Sequence, residues 1–297
     1  MTKTLKKHRI ERIGCFLVLM GFVLADPAWA LPSTRAEQVD HDPMGVWRRS
    51  RNFDLVRGEG AKIVFLPEEH NFFAYWVPEN YRSGRVMVAV HGTGGTPYEE
   101  LKDEIPMARQ FDYLVIAVSW FDPRTGFMSP EELYRQILLA LDYVRKTEGN
   151  DLQSVAYIGF SRGSAVSYEV AYRDIQSEKL FDFFIAHSGG IARNLKTEFM
   201  NPDAQPDPFL IKLSSGALGK DALKGTGFFL YSGDKDVTDG QSMSDKMSYA
   251  KELIEKNGGT VVEWVRRADL GHPGLRQDRS INEKAVRYFI ERTPQGN

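Results

Sequence analysis

The chain is expected to fold as an α/β domain, a mostly parallel, doubly wound sheet with helices on both faces. Three observations carry that expectation. Short β-prone apolar runs alternate with helix-compatible stretches over roughly 230 residues. Several runs are apolar without interruption, as in Val86-Met87-Val88-Ala89-Val90, which suits strands buried on both faces of a parallel sheet. One run, Val155 to Ile158, enters Gly159-Phe160-Ser161-Arg162-Gly163 and then a stretch opening with small residues, so a tight turn joins strand to helix there.

The first thirty residues differ from the rest. Lys3, Lys6, Lys7, Arg9 and Arg12 precede an apolar run from Phe16 to Ala25, and Ala28-Trp29-Ala30 offers a small-x-small cleavage site. The expectation is a secretory signal peptide cut after Ala30, because ten apolar residues are about half of a membrane span. Cys15, the single cysteine of the chain, precedes the apolar run rather than following it, which argues against a lipid-modified cysteine. A mature chain from residue 31 keeps 33 basic and 38 acidic residues and no thiol. That negative balance argues against nucleic acid as a partner. Arg48, Arg49 and Arg51 read as a solvated basic cluster.

Residues 31–60, with Pro32, Pro43, Gly58 and Gly60, are expected to form an irregular lead-in to a catalytic domain over 61–297. Ile63 to Leu66 and Phe72 to Val77 predict strands able to pair as a hairpin at a sheet edge. Val86 to Val90, Leu114 to Val118, Val155 to Ile158, Phe183 to Ala186, Phe228 to Tyr231 and Val261 to Val265 predict the buried strands. Helical patterns fill the gaps. Ser129-Pro130-Glu131-Glu132 supplies a cap, a proline at the first helical position and a capping box, and Leu133, Ile137, Leu141 and Val144 follow at helical spacing to Gly149. Met243, Met247, Ala250 and Ile254 make a second stripe, stopped by Asn257-Gly258-Gly259. Ser280 to Glu283 reads as another capping box ahead of Val286, Phe289 and Ile290. Residues 191–226 interrupt the rhythm: Asn201 to Pro208 carries three prolines and breaks regular structure, leaving either a lid or a long surface loop.

In an open parallel sheet, ligands bind beyond the carboxyl ends of the strands. Four loops stand there: His91-Gly92-Thr93-Gly94-Gly95, the turn carrying Ser161, Ser232-Gly233-Asp234-Lys235-Asp236, and Asp269-Leu270-Gly271-His272-Pro273-Gly274. A nucleophile, an acid and an imidazole thus fall at three strand ends in the order Ser, Asp, His. Together with the glycine-rich loop, this pattern resembles the α/β-hydrolase fold over nearly all of the expected mature chain.

The resemblance implies roles. Ser161 would attack an acyl carbonyl, His272 would take its proton and return it to the leaving group, and Asp236 would hold the imidazole in the right tautomer. Asp234, two residues earlier, is the alternative acid. The N–H groups of Arg162 and of Thr93 or Gly94 would form the oxyanion hole. His187 ends a strand but precedes the acid in the chain, so it reads as a floor or wall of the pocket; Trp120 and Phe121 are candidates for a substrate wall, and His91 for organising its loop. The Arg162 side chain either anchors the turn through a carboxylate or faces an acidic substrate. Within the fold, the size, leader and His-Gly-x-Gly-Gly loop resemble secreted esterases of the polyhydroxybutyrate depolymerase and feruloyl esterase type. The implied activity is ester hydrolysis outside the cytoplasm on a small or oligomeric substrate, with no stable membrane anchor once the leader is cut. An amidase or peptidase using the same residues, and a noncatalytic binding protein on this scaffold, are the alternatives. No metal-ligand spacing of His or Cys occurs, and Gly216 to Asp221 lacks both the length and the Ser/Thr of a phosphate loop, so no cofactor is implied.

Overall fold

The computed structural model describes residues 35–43, 51–122, 126–149, 151–196, 205–238 and 240–292. The expected leader with Cys15 and Ala30, and the pair Arg48 and Arg49, lie outside the described residues. In chain order the elements are β1 (Glu37–Val39), α1 (Arg51–Gly58), β2 (Lys62–Leu66), β3 (Asn71–Trp76), β4 (Arg85–Val90), α2 (Pro97–Phe111) and β5 (Leu114–Val118). A two-stranded ribbon of β6 (Phe121–Asp122) and β7 (Gly126–Phe127) comes next, then α3 (Pro130–Glu148), β8 (Ser154–Phe160), α4 (Arg162–Ala165), α5 (Ser167–Ile175), β9 (Phe181–His187) and α6 (Pro208–Ser215). The chain continues through β10 (Gly227–Gly233), a second ribbon of β11 (Val237–Thr238) and β12 (Gln241–Ser242), α7 (Met243–Lys256), β13 (Thr260–Arg267), α8 (Gly274–Gln277) and α9 (Arg279–Arg292).

Among the described residues the main sheet runs β1-β2-β3-β5-β4-β8-β9-β10-β13, antiparallel from β1 to β5 and parallel from there to β13. Alternation along the strands splits the core into two layers. Val86, Val88 and Val90 face α3, α5, α6 and α7, whereas Met87 and Ala89 face α1, α2 and α9. From β4 the chain passes through α2 to β5 on one side, then returns over α3 to β8 on the other. The strand order therefore reverses between β4 and β8, which opens a crevice at their carboxyl ends.

Three expectations are corrected. The lead-in is regular in part: among its described residues, β1 pairs with the free edge of β2, and α1 buries Val56 and sets Phe53 edge-on against Tyr98 at 5.3 Å. Such short elements are made by their distant partners rather than by local pattern. The final helix is capped by Asp278, not Ser280: Asp278 Oδ1 accepts from the Ser280 N–H at 3.0 Å and from its hydroxyl at 2.6 Å. Within 191–226, Pro208 opens a helix instead of breaking one. Asp207 caps it by accepting from the N–H groups of Phe209 and Leu210, and Leu210, Leu213 and Leu223 enter the core. Residues 197–204 lie outside the described residues. The Ser129 capping box forms as its sequence predicts, with Ser129 Oγ accepting from the Glu132 N–H and Glu132 accepting from the Ser129 N–H.

Candidate active site

Ser161 follows β8 directly, with φ 53° and ψ −114°, a region that side-chain-bearing residues rarely occupy. Its neighbours hold it there. The Ser161 N–H donates to the His187 carbonyl at 2.9 Å, and its carbonyl accepts from the Ala165 N–H at 2.9 Å. The two glycines of the motif are steric requirements: a Cβ at Gly159 would stand 2.4 Å from the Gly163 oxygen, and one at Gly163 2.2 Å from the Val90 oxygen. Helix α4 can therefore start flush against β4 and β8, leaving Ser161 at the turn.

The loop after β4 lies against this serine. A Cβ built on Gly92 would meet the Ser161 Cβ at 2.8 Å. Gly92 to Gly95 form a turn closed by a 3.1 Å bond from the Gly95 N–H to the Gly92 carbonyl, and Gly94 supplies the positive φ of 78° at its third position. His91 is buried and its Nδ1 lies 2.9 Å from the same carbonyl, which can only accept, so Nδ1 carries a proton. Two donors thus fix the Gly92 oxygen. In a planar trans peptide the N–H points opposite to that oxygen, so the Thr93 N–H is turned away from His91 and held in one direction. Arg162 is the first residue of α4, where the helix ladder uses no N–H.

Of the two aspartates after β10, Asp236 reaches the imidazole. Its Oδ2 lies 2.6 Å from His272 Nδ1, and its side chain is buried. A carboxylate on Nδ1 keeps the proton there and leaves Nε2 as the lone-pair nitrogen. Asp234 is engaged elsewhere: it accepts from Arg266 Nε at 2.5 Å and Ser244 Oγ at 2.6 Å, and the Arg266 bond holds its carboxyl below the usual range. The His272 ring lies 4.9 Å from that of Phe160, the residue preceding Ser161.

His187 is 1 % exposed and does not line an open wall. Its Nε2 lies 3.1 Å from the His272 carbonyl and must donate to it, while its ring stands edge-on to Tyr231 at 5.3 Å. Burial, reinforced by the charge of Arg276 and by His272, drives its pKa well below 6.5, so it stays neutral beneath the site. Trp120 is also buried, donating from Nε1 to the His91 carbonyl at 2.9 Å, which makes it a support of the glycine loop. Phe121 is 39 % exposed and packs 4.9 Å from Phe127. The Arg162 guanidinium carbon lies 4.4 Å from the centre of the Phe127 ring, so the side chain beside the serine borders this aromatic ribbon. Sequence reasoning missed Phe127, Phe160 and Arg276. The signal for Arg276 was its place four residues after His272.

Solved structures share this architecture. A thermophilic, thermostable carboxylesterase cloned from a metagenomic library superposes with TM-score 0.56 at 17% identity, covering 75% of this chain and 85% of that one. One of two fungal esterases from Rhizomucor miehei gives 0.57 at 13%, covering 88% and 84%. An acylaminoacyl peptidase bound to a chloromethyl ketone gives 0.53 at 17%, covering 76% of this chain and 40% of that one. The chain has the α/β-hydrolase fold. No model of a known protein family matches it. The large subunit of replication factor C from Pyrococcus horikoshii is 26% identical over 170 residues, 52% of this chain and about a third of that protein's length, too little to place the chain with it.

Proposed function

We propose that this chain is a serine hydrolase that cleaves carboxylic esters through an acyl-enzyme. The observation that carries the reading is the 2.6 Å contact between Asp236 and His272 Nδ1, at the same sheet end as the strained Ser161. In this mechanism His272 Nε2 takes the Ser161 proton as Oγ adds to the ester carbonyl. The oxyanion is met by the N–H groups of Arg162 and of Thr93 or Gly94, each worth about 3 kcal/mol of barrier. Collapse expels the alcohol, which leaves with the proton from Nε2. Water then adds to the acyl-enzyme with His272 again as base, releasing the acid and restoring Ser161. The basic start, apolar run and Ala28-Trp29-Ala30 support export with cleavage after Ala30. Their combination with the His91 to Gly95 loop supports the narrower likeness to secreted esterases acting on small or oligomeric esters.

Pre-steady-state hydrolysis of p-nitrophenyl acetate tests the reading. The mature protein should release a burst of p-nitrophenolate equal to the enzyme concentration, absent in Ser161→Ala, and should turn over the matching anilide far more slowly. Comparable ester and anilide rates would favour an amidase. A folded wild type inert to every aryl ester would leave a noncatalytic role on this scaffold.

A further inference from the structure

One helical turn beyond His272, on α8, Arg276 reaches across to α2. Its Nη2 lies 2.5 Å from Glu100 Oε2 and its Nη1 3.2 Å from Asp103 Oδ2, two carboxylates three residues apart on one helix face. The Glu100 side chain is 4 % exposed and that of Arg276 20 %, so this is an ion pair largely removed from water. Such a pair adds little net stability over apolar groups of the same volume, but it accepts few geometries. The guanidinium carbon also sits 4.2 Å from the centre of the Phe160 ring. That ring in turn lies 4.9 Å from His272 and 4.7 Å from His187. Phe160 is therefore flanked by the cation of α8 and the imidazole of the site, and it is bonded through the chain to Ser161.

We propose that Arg276 is a positioning residue for the general base. Through Glu100 and Asp103 it fastens the segment carrying His272 to α2, and through Phe160 it fixes the ring beside the His272 imidazole. One side chain then sets the register between the base and the strained serine. The inference rests on the reading of Ser161 as nucleophile and His272 as base.

The test is the second-order rate of phosphonylation by a fluorescent fluorophosphonate, measured across pH with kcat and KM for p-nitrophenyl acetate. The variants are Arg276→Lys and the double variant Glu100→Gln with Arg276→Met, which leaves no unpaired carboxylate at position 100. Per folded molecule, the double variant should lose at least about tenfold in both labelling rate and kcat with KM within about twofold, as expected of a misplaced base. Arg276→Lys keeps the charge but not the planar fork, and should fall between it and the wild type. A folded double variant that labels at the wild-type rate with an unchanged pH profile overturns the inference. Should the double variant fail to fold, a folded Arg276→Lys with wild-type labelling does the same. A wild type that takes no label overturns the nucleophile reading, and this inference with it.

Discussion

Replacing Asp236 by Asn changes one atom at the contact with His272 and little else. The backbone at this position is fixed independently, by the bond from the Asp236 N–H to Gly233 and by the bond its carbonyl accepts from Met243. The side chain is buried, so water cannot take over the lost charge. If the new amide turns its NH2 toward His272, Nδ1 must accept, the proton moves to Nε2, and the nitrogen needed as base is blocked. If it turns its oxygen, the tautomer survives but the imidazolium formed during attack loses its counter-charge. Two unit charges about 4 Å apart at an effective dielectric of about 20 attract by about 4 kcal/mol. At 1.36 kcal/mol per decade that is about a thousandfold in kcat, and the tautomer change can add to it. Asp234→Asn touches a carboxylate already held by Arg266 and Ser244, so activity should stay within about twofold. Steady-state hydrolysis of p-nitrophenyl acetate, with circular dichroism melts to establish folding, separates the two. Equal losses, or a larger loss for Asp234→Asn, would refute the reasoning.

Three further outcomes follow from the same geometry. Burial raises the Glu104 carboxyl to about 7 beside Tyr113, with Glu100 and Asp103 on the same helix. The folded state therefore holds an extra proton between about 4.5 and 7, and this group's contribution to stability falls as pH rises through that window. Glu104→Gln should gain stability over the wild type progressively across it, reaching about 3 kcal/mol by pH 8 in urea denaturation; a gain equal at pH 4 and pH 8 would contradict this. His187 has the opposite sign: its depressed pKa makes the fold lose stability as pH falls below 6.5, so His187→Gln, which keeps a donor but does not titrate, should flatten the acid side of that curve. Gly163→Ala, though it replaces a helical glycine, should destabilise by about 2 kcal/mol because its Cβ would fall 2.2 Å from the Val90 oxygen, and a raised melting temperature would refute it.

What could be read in advance divides along physical lines. Val86 to Val90 and Leu114 to Val118 announce themselves because strands covered on both faces must be apolar throughout. The elbow is legible because its two glycines stand at a fixed spacing about the serine, although only Gly159 answers a demand made within five residues, by Gly163, while Gly163 itself is required by Val90 of the neighbouring strand. Strand β1 is not, since Glu37-Gln38-Val39 has no apolar pattern and gains its form from the edge of β2. The preference for Asp236 over Asp234 comes from the family likeness, which places the acid three positions after the glycine that ends the strand, here Gly233, and not from any physical difference between the two aspartates in the sequence. The choice is made by the turn from Gly233 to Asp236 and by Arg266, 32 residues beyond Asp234, which claims the first carboxylate. Arg276 stayed hidden because its partner Glu100 is 176 residues away. The motif that bears the serine can be read locally, while the environment of His272 is written in contacts between distant segments.

The central claim is that Ser161 is a nucleophile activated by His272. Its most direct test is labelling of the purified protein with a fluorescent fluorophosphonate, followed by mass-spectrometric mapping of the adduct, beside Ser161→Ala and His272→Ala. The expected result is one adduct per chain on Ser161, none in the serine variant and a rate at least about a hundredfold lower in the histidine variant. An adduct on another residue, or a histidine variant that labels as fast as the wild type, would contradict it.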